Sequence, residues 1–128
     1  MGKNKEKIIK IEKNCAKWFN RGELEKILNH FDKNIFGFSS TKHEKFYGKE
    51  ELQKTFEYYL SEGEELEFTL KDLQVDLITK SLAICTFYWQ VTLRAGSKVT
   101  EIPGRASHVY HKTKGNWKIV HEHFSKAH

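Results

Sequence analysis

The sequence predicts an α+β domain, with three N-terminal helices packed on one face of a curved, mostly antiparallel sheet. Two observations predict it. Apolar residues recur at helical spacing as far as Leu60, and from Glu65 onward they recur at period two. With 128 residues, 38% of them hydrophobic and 13% aromatic, the chain can bury one core of large rings but not two. One domain over residues 1–128 is therefore expected, with residues 1–6 frayed.

Ile8, Ile11, Cys15, Trp18 and Phe19 define the first helix, over roughly residues 4–20, and Arg21-Gly22 supplies its stop. Leu24, Ile27, Leu28 and Phe31 repeat the pattern in a short second helix ending between Asn29 and Asp32. The segment NIFGFSSTKHEKFYG has no helical period and reads as a short strand followed by a loop. A third helix carries Leu52, Phe56, Tyr59 and Leu60 and should stop at Gly63.

Leu66, Phe68 and Leu70 then alternate with polar residues, and Leu73, Val75 and Leu77 take the opposite parity, so a bulge is expected near Lys71-Asp72. Three more strands follow: Ala83 to Arg94, Val99 to His111 and Asn116 to Phe124. Ala95-Gly96-Ser97 and Lys114-Gly115 supply the turns between them. A sheet of this kind wrapped over a long helix encloses a cone that often keeps a cavity.

Charge and cysteine usage narrow the function classes. The formal net charge is +5, but the lysines are scattered among glutamates and form no basic stripe, which argues against a nucleic-acid partner. Cys15 and Cys85 lie in apolar patterns and read as two buried thiols rather than a disulfide. No secretion-type leader and no apolar run long enough to span a bilayer occurs, so a cytoplasmic location without a membrane partner is expected.

The polar residues of interest cluster in the last two strands. Alternation puts Ala83, Cys85, Phe87, Trp89, Val91 and Leu93 toward the helices. Lys118 and Glu122 mark the outer side of the last strand, which places Trp117, Ile119, His121 and His123 inside. If Val109 faces inward, unless a bulge at Pro103-Gly104 resets the parity, Arg105 and Ser107 do too. Arg105, Ser107, His121 and His123 would then converge beside Trp89 and Trp18. Glu101 is the expected ion-pair partner of an inward Arg105, with Glu44 as a second candidate. His121-x-His123 sets two imidazoles on one face, but a zinc site needs more ligands, and His108 and His111 belong to different parities, so no metal is expected. No motif for a cofactor is present.

The stretch GRASHVYHKTKGNWKIVHEHFS resembles the C-terminal hairpin of the SnoaL-like, nuclear transport factor 2-like superfamily. There an Arg-x-Thr strand, a Gly-x-Trp turn and a final His-x-His-x-Ser strand recur. The matching residues are Arg105, Ser107, Gly115, Trp117, His121, His123 and Ser125. The association domain of calcium/calmodulin-dependent protein kinase II ends similarly, and SSTKHEKFYGKEEL resembles a Gly-Thr-x-x-Glu-x-x-x-Gly segment through Thr41, Glu44 and Gly48. The resemblance implies the cystatin-like cone fold along nearly the whole chain. It does not transfer a mechanism. A ketosteroid isomerase site needs an aspartate base with a tyrosine and a protonated acid, whereas this chain offers Trp18 and Phe19 on the first helix and no acid over Asn34 to Phe38.

Three functions stay open on these grounds. The first is a pocket for a small polar or anionic organic molecule, bound by Arg105, Ser107, Trp89, Trp18 and Glu101. The second is an isomerase, cyclase or dehydratase without a redox cofactor, with His121, His123 and Glu44 as catalytic candidates. The third is an oligomerisation module, expected as a homodimer through Val120, Phe124, Tyr88 and Tyr110 on the outer sheet face.

Overall fold

Ile8, Glu12, Cys15 and Phe19 form one stripe along helix α1 (Gly2–Asn20), and this stripe faces the sheet. The computed structural model describes residues 2–61 and 65–127. Ile8 and Phe19 are buried, each worth about 1.5–3 kcal/mol of apolar transfer, and they anchor the two ends of the helix. In the first turn, Asn4 accepts hydrogen bonds from Trp117 Nε1 at 3.2 Å and from Lys112 Nζ at 3.3 Å. At the other end Gly22 adopts a left-handed conformation (φ 72°), and the Glu23 N–H caps the Trp18 carbonyl.

Helix α2 (Leu24–Leu28) is one short segment that buries Ile27 and Leu28. Strand β1 (Phe31–Phe38) follows, longer than the short strand expected, and pairs with β2 (Phe46–Tyr47), which lies in the segment expected to be a loop. Helix α3 (Gly48–Leu60) buries Leu52. Its N-terminus is held by Glu51, whose carboxylate accepts the Tyr47 N–H at 2.9 Å, and Glu50 and Glu51 complement the helix dipole. The glycine stop expected at Gly63 lies outside the described residues.

The rest is a meander of β3 (Glu65–Leu77), β4 (Leu82–Ala95), β5 (Lys98–Thr113) and β6 (Asn116–Lys126). The six-stranded sheet runs in the order β2-β1-β6-β5-β4-β3, antiparallel except where β1 meets β6. The expected bulge is present. Asp72 has φ 55°, and the β3–β4 register shifts between Lys71 and Gln74. β3 is an edge strand, and Asn20 covers part of that edge by pairing with both the N–H and the carbonyl of Phe68, at 2.7 and 2.9 Å.

Two glycines allow close approaches that no other residue would permit. A Cβ at Gly37 would lie 1.8 Å from the Glu122 carbonyl oxygen, where β1 lies against β6. At Gly104 a Cβ would meet the Trp89 indole at 2.1 Å, so this position clears space for the ring of its cross-strand partner.

Candidate functional site

The direction of the β5 and β6 side chains follows from two tight turns and one bulge. Gly96-Ser97 is a two-residue turn, with Ala95 paired to Lys98, and the β4–β5 register runs unbroken to Leu82 opposite His111. The inward odd residues of β4 therefore face even residues of β5: Trp89 opposes Gly104, Phe87 opposes Ala106, Cys85 opposes His108 and Ala83 opposes Tyr110. Pro103-Gly104 carries no bulge in this pairing. The second turn, Lys114-Gly115, brings Trp117 and Ile119 inward. Between Val109–His121 and Tyr110–Ile119 the β5–β6 register then shifts by one, leaving Val120 as the extra residue. Beyond it the even residues Glu122 and Phe124 face the helices.

This inverts the expected site. Arg105 is on the outer face, exposed, with Nε donating to Ser125 Oγ at 3.4 Å. Ser107 also lies on the outer face, opposite His123. His121 packs against Phe36 in a tilted arrangement with ring centroids 4.7 Å apart, and His123 packs likewise against Phe38 at 5.0 Å. The His121 pKa is lowered, first by burial and then by the neighbouring His123. Glu101 is exposed near the β4–β5 turn and makes no ion pair with Arg105 among the described residues, while Glu44 is exposed in the loop before β2. Trp18 stacks on His30 at 5.6 Å and does not line the cavity. Of the sequence-derived candidates, Trp89 alone does.

In their place the fold assembles a buried set. His108 Nδ1 lies 2.5 Å from Glu12 Oε2, and its Nε2 lies 2.7 Å from Glu122 Oε1. Tyr110 donates its hydroxyl to the same Glu12 oxygen at 2.8 Å. All of these residues are at most 4% exposed. Burial by itself lowers the His108 pKa, but the two carboxylates outweigh it and push the value up to about 10. Both ring nitrogens then donate, and His108 is an imidazolium clamped between two acids. Burial, reinforced by Glu12, raises the pKa of Tyr110 and of the Cys15 and Cys85 thiols, so all three stay protonated. The cysteines are free, and neither has the environment of a reactive thiolate.

A partly open cavity of about 80 Å³ adjoins this set. Glu12, His108 and Glu122 form its buried polar end. Phe19, Phe56, Phe68, Trp89 and Phe124 make much of its wall. Ser39, Ser40, Thr55 and Tyr59 add hydroxyls where α3 meets the loop after β1, and Tyr59 is hydrogen-bonded to Ser40 at 2.5 Å. No group of three or more metal-ligating side chains with suitable geometry occurs among the described residues.

The buried set was accessible from two signals in the sequence. Glu12 is a carboxylate on the apolar stripe of α1, and the short Gly96-Ser97 turn couples inward odd residues of β4 to even residues of β5. Glu122 had only an indirect signal. Val120 and Phe124 as apolar residues on a supposed outer face hinted that the parity breaks there.

The SnoaL-like domain family matches residues 8–128, nearly the whole chain. The chain belongs to the SnoaL-like domain family. Solved structures with the same architecture include an NTF2-like protein of unknown function from Pseudomonas putida KT2440, 20% identical, covering 98% of this chain and 87% of its own, with a TM-score of 0.84. A candidate dehydratase of the NTF2-like family from Streptomyces avermitilis is 17% identical, with 99% and 98% covered and a TM-score of 0.83. The CaMKII hub of S. rosetta is 21% identical, with 94% of each chain covered and a TM-score of 0.80. At these identities the likeness establishes the fold of this SnoaL-like chain and not its chemistry. No curated protein matches the sequence. Among the described residues, no helix is long and apolar enough to cross a membrane.

Proposed function

We propose that this SnoaL-like domain binds a small organic molecule in the cavity between its helices and its sheet, with the Glu12–His108–Glu122 set as the polar end of the site. The observation that carries this reading is the juxtaposition of a largely ring-lined cavity with three buried, hydrogen-bonded ionisable groups. Histidine acid/base catalysis is disfavoured. His108 has a carboxylate on each ring nitrogen, so neither nitrogen is free to exchange a proton with a substrate, and His121 and His123 lie on the opposite face. Binding without turnover suits such a locked group better.

An NMR screen of small organic fragments, read on the Trp89 indole N–H, tests the proposal. Trp89 lines the cavity, and its Nε1 is buried without a partner among the described residues, which makes it a sensitive reporter. Saturable shifts at Trp89 and His108 are the expected result. Shifts confined to the outer face, around Tyr88, Phe36 and His121, would overturn it.

A second reading is supported by that outer face. Phe36 is 45% and Tyr88 58% exposed there, on the same face as the two Phe–His contacts, which suits a homodimer built on the sheet. Its contacts differ from those expected, because Phe124 and Tyr110 point into the core.

A further inference from the structure

We propose that the ligand of this cavity is a small organic cation, an amine or quaternary ammonium, held among the aromatic rings with its charge directed at Glu122. The inference rests on the reading of the cavity as a ligand site and names the chemistry that site selects.

Charge is the first ground. Glu12 and Glu122 bring two carboxylates to the buried end of the cavity, and the one imidazolium of His108 lies between them. With both carboxyl groups ionised, the formal count leaves one negative charge in a region where uncompensated charge is costly. Among the described residues no lysine or arginine lines the cavity, and the remaining ion pair, Lys26 with Glu23, is at the surface. The two acids are also unequally served. Glu12 accepts from both His108 and Tyr110, whereas the contact shown for Glu122 is His108 alone. By number of donors Glu122 is the less well served, and like Glu12 it lines the cavity. An anionic ligand would add to the excess, and Arg105, once expected to meet it, is on the other side of the sheet.

The walls are the second, independent ground. Phe19, Phe31, Phe56, Phe68, Trp89 and Phe124 surround the space. Ring faces attract cations, most strongly where water is excluded, and ring-lined cavities are a recurrent way of holding alkylammonium groups. A neutral apolar ligand would gain burial from these walls but nothing from the acid behind them. Size sets the limits. At about 80 Å³ the cavity is smaller than the roughly 150 Å³ cavity known to take benzene, so the charged head must be compact.

The test is a titration of the intact chain at constant ionic strength with tetramethylammonium, tert-butanol and isobutyrate, which are compact probes of positive, zero and negative charge. Binding is read from the Trp89 indole N–H and the His108 ring. The expected result is tetramethylammonium binding about tenfold or more tighter than tert-butanol, with no saturable binding of isobutyrate. Glu122→Gln should remove most of the preference for the cation; the wild-type series decides the matter even if that variant folds poorly. Equal or tighter binding of tert-butanol or isobutyrate would overturn the cation inference and leave the cavity reading standing. The same holds if none of the three probes shifts these signals while a neutral fragment does. If no fragment of any charge shifts them, both readings fall.

Discussion

His108 has a carboxylate on each ring nitrogen and is 4% exposed, so its charge and the fold depend on each other. Its pKa of about 10 in the folded chain stands above the value of about 6.5 expected when the chain is unfolded. The folded state thus binds the proton more tightly, and the stabilisation from this site is complete below about pH 6.5. It drains away as pH rises toward about 10, by up to about 1.4 kcal/mol per pH unit. Urea unfolding at a series of pH values should show wild-type stability falling between about pH 7 and 9.5. His108→Gln should be less stable at pH 7 by about 3–5 kcal/mol, since two buried carboxylates lose their counter-charge, and should show a much flatter pH dependence. Parallel profiles for the two proteins would contradict the assigned charge.

At the level of elements, the site departs from simple alternation at a single inserted residue. Val120 is the unpaired residue that turns β6 over, so that Glu122 and Phe124 face the helices while His121 and His123 face outward. Deleting Val120 would make His121 follow Ile119 directly, so that a regular strand without the bulge still places Glu122 and Phe124 toward the helices and His121 and His123 outward. The deletion variant should therefore keep the Glu122–His108 contact and the fall in stability at alkaline pH, measured by urea unfolding at a series of pH values; loss of that pH dependence would show that Val120 is not the extra residue of β6. The same residue explains how much the sequence disclosed. Helical and strand periods located α1, α3 and the meander well, and they oriented β4 correctly, because its inward residues are uniformly apolar. In β5 and β6 both faces mix rings with polar groups, so apolarity could not choose between them. An acid read as a surface marker, Glu122, was in fact neutralised in the interior by His108. The β2 pairing covers two residues only, too few to leave a local pattern.

For the molecule as a whole, the sheet separates two surfaces of different composition. The inner face of the sheet and the helices enclose the cavity, while the outer face carries Phe36, Tyr88, His121 and His123. If that outer face joins two copies, sedimentation at micromolar protein should report a dimer, and Phe36→Lys with Tyr88→Lys should give a folded monomer that retains the cavity signals. A wild-type monomer at those concentrations would remove the dimer reading and leave the cavity untouched. The family resemblance identified the cone correctly along the chain, and the match over residues 8–128 bears it out. The resemblance did not name the residues that fill the cone. They depend on how two turns and a bulge combine, which a short motif does not record.

A long-range proton–nitrogen NMR spectrum of the histidine rings at about pH 8 tests the central claim most directly. The account predicts that His108 carries a proton on both ring nitrogens at that pH, with its signals shifting when a ligand enters the cavity, while His121 is neutral. A neutral His108, or a charged His108 that no cavity ligand perturbs, would contradict it.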